Sequence, residues 1–259
     1  AEMFAQRGTD DDFYAEYPST PEEALAPLQF DRRIPYKWIE HVFMPRAPEP
    51  QAAASQLPNV NAPSLPGLAV YVTPQPGRTY VIGADPAEGN PNSDESAATA
   101  LDAVTSEEVA ALTGRIEPTV FAGYLAQLAR WYHDAAILPE RNNHGHTVLA
   151  ALTATGETHV LCGHDGRPGW LSNAKGKTLL YNALADAIRD GACIIHTAET
   201  AGQIASIEAS TLRAPQGLHD DRADSFALAI VAANRDNRVT PAHIVPAADP
   251  LAGIDSASF

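Results

Sequence analysis

Asp85, Glu140 and the trio Asp220, Asp221 and Asp224 are the residues of this 259-residue chain best placed to do chemistry. Asp85 closes the β-rich run Thr79-Tyr80-Val81-Ile82-Gly83-Ala84 and stands directly before Pro86. Glu140 closes a short apolar run of buried-strand type, Ala135-Ala136-Ile137-Leu138, and leads into Arg141-Asn142-Asn143-His144-Gly145-His146. Asp220 and Asp221 open a helical pattern with Asp224 one turn on. At ~100° per residue these three lie close together, beside an apolar stripe. Carboxylates gathered at a sheet edge repel, and their pKa values rise unless a cation intervenes. Mg²⁺ or Mn²⁺ suits such a set, being hard and satisfied by a few carboxylates plus waters. Two such ions about 3.5–4 Å apart can activate a water and stabilise a leaving oxygen in phosphodiester cleavage.

Each acid taken singly has a plainer reading. An Asp before Pro is a turn residue, Asp-Asp at a helix start is a cap and dipole partner, and Glu140 can pair with Arg141 or face water. Only the coincidence of two strand-end acids with a helix-start group points to a metal centre.

The elements that must position these acids can be read from the pattern. Strands are expected at Thr79–Ala84 and Ala97–Val104, and Glu107–Ile116 fits either a strand or a helix. Pro118 opens a helix to about His133, with Phe121, Leu125, Leu128 and Tyr132 on one face. A short strand at Ala135–Leu138 precedes a helix near Gly145–Ala154 and a strand at His159–Cys162. Lys175–Asp190 reads as a helix stopped by Gly191, followed by a strand at Ala192–Ile195. A last helix starts near His219 and buries Ala223, Phe226, Ala227 and Ile230. Early strands followed by alternating helices and strands give an α/β class: a mixed central sheet flanked by helices.

Proline sets the boundaries. Twelve of the 21 prolines precede Gly77, which predicts no regular packed domain there. Residues 1–67 read as a Pro-rich lead-in and linker, with a short helix starting at Thr20-Pro21 and a solvated stretch over Gln51–Gly67. Residues 68–236 form the compact domain, and residues 237–259 an irregular tail.

The formal charge is −15, from 17 Lys+Arg against 32 Asp+Glu, which argues against non-specific coating of nucleic acid or anionic membrane. It does not exclude a metal-dependent nuclease, whose centre is itself a carboxylate cluster. Two cysteines, Cys162 and Cys193, are too few for a disulfide framework and suit a reducing compartment. No apolar run approaches the roughly 18 residues of a membrane span, and Ala1-Glu2-Met3-Phe4 does not read as a signal peptide.

The motifs Tyr80-Val81-Ile82-Gly83-Ala84-Asp85-Pro86-Ala87-Glu88-Gly89, Asp94-x-Ser96, Glu140-Arg141-Asn142-Asn143-His144-Gly145 and His219-Asp220-Asp221-Arg222-x-Asp224 together resemble the nuclease domain of tailed-phage terminase large subunits. The likeness runs in the family's order over about Leu68–Ala233, and Phe13–Ala24 resembles the segment leaving that family's ATPase domain. The resemblance implies an RNase H-like fold and a DNA endonuclease that uses two Mg²⁺ or Mn²⁺ ions to cut concatemeric viral DNA during packaging. It implies double-stranded DNA, the terminase ATPase domain, the small terminase subunit and the portal as partners, and the cytoplasm of an infected bacterial host as the place of action. It assigns Asp85, Glu140 and either Asp220 or Asp221 as metal ligands, with Asp221 favoured for catalysis. Asp224, His219, Asp94, Arg141 and Lys175 then stand as outer residues or DNA contacts.

Gly176-Lys177-Thr178 ends like a phosphate-binding loop, but Leu171 occupies the place of its first glycine, so no nucleotide site is expected. Lys175 and Lys177 read as a basic helix start. His144-x-His146 with Cys162 offers zinc ligands without the i,i+4 spacing of a helical zinc motif. Trp131 and Tyr132 fit burial on the sheet and Trp170 a DNA contact; Arg141, Arg167, Arg213 and Arg222 are the best available phosphate partners, with plain solvation as the alternative. The rival readings are a junction resolvase or other RNase H-like nuclease, and a non-catalytic docking module of the packaging machine.

Overall fold

The computed structural model describes residues 31–49, 63–91, 93–154, 156 and 158–236. The expected helix at Thr20-Pro21, most of the 51–67 linker and the 237–259 tail lie outside them. In chain order the elements are α1 (Tyr36–Val42), β1 (Leu68–Val70), β2 (Tyr80–Asp85), β3 (Ser96–Asp102), β4 (Glu108–Gly114), α2 (Pro118–Trp131), β5 (Ala136–Pro139), α3 (Gly145–Ala154), α4 (Ala174–Arg189), α5 (Ala198–Ser206) and α6 (Asp221–Asp236).

The five strands form one mixed sheet in the order β1-β4-β3-β2-β5. β2, β3, β4 and β1 pair antiparallel in succession, and β5 joins β2 in parallel. Strand periodicity sends alternate residues to two cores. Tyr80, Ile82, Ala84 and Ile137 face α2 and α3, packing on Phe121, Leu125, Leu128, Val148 and Leu152. Val81, Leu101, Ala136 and Leu138 face the other side, under Leu180, Tyr181 and Leu184 of α4, Ile204 of α5 and Phe226 and Ile230 of α6. Helices on both faces leave the central strands no solvent side, which is why Ser96–Asp102 is buried from end to end.

Gly83 fixes how α6 sits on that sheet. A Cβ there would lie 2.2 Å from both Ser225 O and Ala229 N, so only glycine lets the helix backbone rest directly on β2. Thr99 Oγ1 on β3 bonds Ser225 Oγ at 3.0 Å and pins the same turn.

Glu107–Ile116, open between strand and helix, is the strand β4, because it pairs with β1 and β3 on both edges. The strands expected at His159–Cys162 and Ala192–Ile195 are single bridges instead: Val160 to Ile137, Cys162 to Pro168 and Gly169, Ile194 to Glu107, Ile195 to Phe43. Each of these segments meets a partner at isolated residues, too few for a ladder. No regular packed domain is expected before Gly77; over residues 31–49 the structure packs one short helix onto the core. Pro35 occupies the N-cap of α1, where a missing N–H costs nothing, and Ile34, Ile39 and Val42 are buried in the core. Among the described residues, no helix is long and apolar enough to cross a membrane.

Candidate metal centre

Strand parity brings the two strand-end acids together. Val81, Gly83 and Asp85 share the α6 face of β2; on β5, Ala136, Leu138 and then Glu140 do the same. β2 and β5 run parallel with Ala84 opposite Pro139, so the next step sets Asp85 beside Glu140, and the Glu140 N–H donates to Ala84 O at 2.7 Å. Gly145 begins α3 against this corner. A Cβ there would fall 2.0 Å from Glu140 O, which explains the glycine that follows Glu140-Arg141-Asn142-Asn143-His144.

The first turn of α6 supplies the remaining acids. Carboxylate oxygens of Asp85, Glu140 and Asp224 come within 4.8 Å of one another. A second group, Asp94, His219 and Asp221, converges at the same limit. In it, His219 Nδ1 lies 3.3 Å from Asp94 Oδ1 and 3.8 Å from Asp221 Oδ2. Asp85, Glu140, Asp94, Asp220, Asp221 and Asp224 all border one open cavity of about 660 Å³.

The resemblance favours Asp221 as the third acid beside Asp85 and Glu140, with Asp224 an outer residue; the structure brings Asp224 to that pair. The reason is helix phase. Asp224 sits beside Ser225, which meets Gly83, so its side chain points one step along β2 toward Asp85. Asp221 lies a turn earlier, toward the loop that carries Asp94. Asp220 accepts the Ala214 N–H at 3.2 Å from the cavity rim.

Crowding shows in the titration of these groups. Burial, then Glu140, Asp224 and Asp221, pushes Asp85 well above the ordinary aspartate range. Burial and Asp224 raise Glu140. Burial raises Asp224 too, against the pull of Lys177. Asp221 rises to about 7 through burial and the nearby Asp94 and Asp220. Buried carboxylates with so few donors fit a hard divalent cation better than they fit one another.

The wider similarity lies in three dimensions alone: no family model matches the chain, and no curated protein matches it in sequence. The large terminase nuclease of the thermophilic phage G20c, solved with bound magnesium, superposes with a TM-score of 0.61 at 18% identity, covering 78% of this chain and 97% of that one. Its cobalt-bound form gives the same figures. The large terminase nuclease domain of Thermus phage P74-26 gives a TM-score of 0.56 at 19% identity, covering 75% and 92%. The chain has the large terminase nuclease fold. This is the RNase H-like architecture expected from the sequence, with its mixed sheet and flanking helices.

Within this terminase nuclease fold, one functional neighbour escaped the sequence reading. Lys177 ion-pairs with Asp224 Oδ2, and the Tyr181 hydroxyl donates to Asp224 Oδ1 at 2.6 Å. Burial alone would lower the lysine's pKa, but Asp224, Asp220 and Glu140 raise it. The legible signal was the stripe Lys177, Tyr181, Leu184 and Ile188, which places Lys177 on the buried face of α4. Lys175, an outer residue or DNA contact by resemblance, is exposed and does not line the cavity. The Gly-Lys-Thr run is a helix start, with Asn173 accepting the Gly176 N–H at 2.8 Å.

Other assignments change as well. Trp170 is 2% exposed, held between the His164 ring at 5.0 Å and the Arg235 guanidinium at 5.5 Å, and cannot stack on bases. Its Gly-Trp turn bridges Glu140 and so belongs to the sheet edge. Arg141 is buried and ion-paired with Asp165, which it holds down at about 2 by hydrogen bonding. Arg222 donates to Thr113 Oγ1 at 2.9 Å, whereas Arg213 borders the acidic cavity and Arg167 is exposed. Trp131 and Tyr132 are buried on the sheet. Neither converging group among the described residues contains His144, His146 or Cys162, the zinc set that the sequence offered.

Proposed function

We propose that this protein is the metal-dependent endonuclease of a phage DNA-packaging terminase, cutting concatemeric double-stranded DNA in the cytoplasm of an infected bacterium. The observation that carries this reading is the convergence of Asp85, Glu140 and Asp224, with Asp221 adjacent, at the parallel-strand ends of a large terminase nuclease fold. Asp85, Glu140, Asp221 and Asp224 would hold the ions, with Asp220 and Asp94 lining the same cavity and His219 paired to Asp94 and Asp221. Two bound Mg²⁺ or Mn²⁺ ions would supply Lewis-acid activation of water and stabilisation of the departing 3′-oxygen.

The chain's own groups prepare for that chemistry. The raised carboxylates would release their protons on binding cations. Lys177 and Tyr181 hold both oxygens of Asp224, which fixes its rotamer before DNA arrives. Arg213 lines the same cavity and would be placed to meet a phosphate there. Weak sequence preference would follow if site choice is left to the ATPase domain, small subunit and portal.

Plasmid nicking tests the reading. Cleavage is expected with Mg²⁺ or Mn²⁺, and is lost on adding EDTA and in Asp85→Ala. Cleavage that survives both treatments sinks the metal mechanism, and preference for a four-way junction over linear duplex would favour a resolvase.

A further inference from the structure

Helix α6 carries acids of both converging groups, yet it does not cap itself. Asp220 holds the N-cap position, since its carbonyl accepts the Asp224 N–H at 2.8 Å. An aspartate there normally turns its side chain onto the second or third N–H of the helix. Asp220 instead turns outward to the Ala214 N–H, which keeps its carboxylate at the cavity. The vacant capping role is taken from another helix. Gln203 Oε1 on α5 accepts the Arg222 N–H at 2.8 Å and the Ala223 N–H at 3.4 Å. These are the N–H groups that lie between Asp221 and Asp224 in the chain.

Gln203 is itself fixed to the sheet. The buried Glu108 of β4 accepts the His196 N–H at 2.7 Å, the Thr197 N–H at 2.9 Å and the Thr197 hydroxyl at 2.9 Å, all at the start of α5. At the other end of α5, the Ile207 carbonyl accepts the Arg33 N–H at 2.8 Å. A second link from β4 reaches α6 directly through Thr113 and Arg222. The first turn of α6 is therefore referenced to strand β4, three strands away from β5, at whose end Glu140 stands.

We infer that Gln203 is a positioning residue for the carboxylate cluster. Its side-chain oxygen sets the rotation of the first turn of α6, and so the placement of Asp221 and Asp224 against Asp85 and Glu140. This rests on the metal-binding reading of the site. Carboxylate spacing decides how well a divalent ion is held, and loss of such an outer partner weakens metal binding by about tenfold or more.

Titration calorimetry of the full chain with Mn²⁺, in high salt to screen long-range attraction, provides the test. Gln203→Leu removes the oxygen, and Gln203→Asn keeps a neutral amide one methylene short. Both are expected to bind Mn²⁺ about tenfold more weakly than wild type. Gln203→Glu keeps an oxygen at the same reach and is expected to restore wild-type affinity. Circular dichroism confirms which variants are folded; if Gln203→Leu is not, the Asn and Glu pair decides. A purely stabilising cap would lower the melting temperature and leave Mn²⁺ affinity unchanged, and that result overturns the inference. Wild-type protein that takes up no Mn²⁺ overturns the metal reading itself, an outcome distinct from equal uptake by all variants.

Discussion

Two buried acidic sites in this molecule answer the same electrostatic problem in opposite ways. Glu108 is fully buried, and burial raises its pKa. The Thr197 and His196 N–H groups and the Thr197 hydroxyl oppose that rise. Its donors come from the chain itself, so the site is complete without a ligand. At the other site Asp85, Glu140 and Asp224 meet one another, with Lys177 the one cation paired directly to them among the described residues. Desolvation is similar in kind at both. What differs is the supply of donors, and this separates an acid that holds the fold together from acids that a cation would complete.

Removing each acid should break the symmetry between the two sites. Glu108→Ala leaves several buried donors unmet and is expected to cost about 3 kcal/mol in urea unfolding. Asp85→Asn removes a repulsive charge and is expected to raise metal-free stability by about 1 kcal/mol while abolishing cleavage. A loss from Asp85→Asn as large as that from Glu108→Ala would erase the distinction.

Acidity sharpens the contrast with a smaller effect. Asp221 has a folded pKa of about 7 against an ordinary 3.8, and Asp85, Glu140 and Asp224 are displaced in the same direction. A raised carboxylate binds its proton more tightly in the folded protein than in the unfolded chain. Its contribution to stability is therefore complete below the unfolded pKa and lost as pH rises through the folded one. The metal-free melting temperature is expected to fall between about pH 4 and pH 7. Mn²⁺ affinity should rise over the same window, because each ion displaces protons. A flat melting profile without metal, followed by differential scanning fluorimetry, would show that the cluster is already neutralised from within.

Much of this arrangement was legible in the chain. The β-rich run into Asp85, the apolar run before Glu140 and the helix beginning at the tandem aspartates all fold as read, with Asp85 beside Glu140 as strand parity requires. The short helices α1 and α5 were not anticipated, because each is defined by what it packs on rather than by a long periodic pattern. Trp170 was misread for a related reason: a Gly-Arg-Pro-Gly-Trp turn looks exposed until a neighbouring strand end covers it.

The sequence by itself determined the composition of the site: which acids end strands and which open a helix. Only the tertiary structure decided their partnership. The choice of Asp224 over Asp221 beside Asp85 depends on the rotation of α6. That rotation is set by the seat at Gly83 and the cap from Gln203, contacts between residues far apart in the chain. Local pattern fixes which face of an element a residue occupies, but the phase of one element against another is fixed only where they touch.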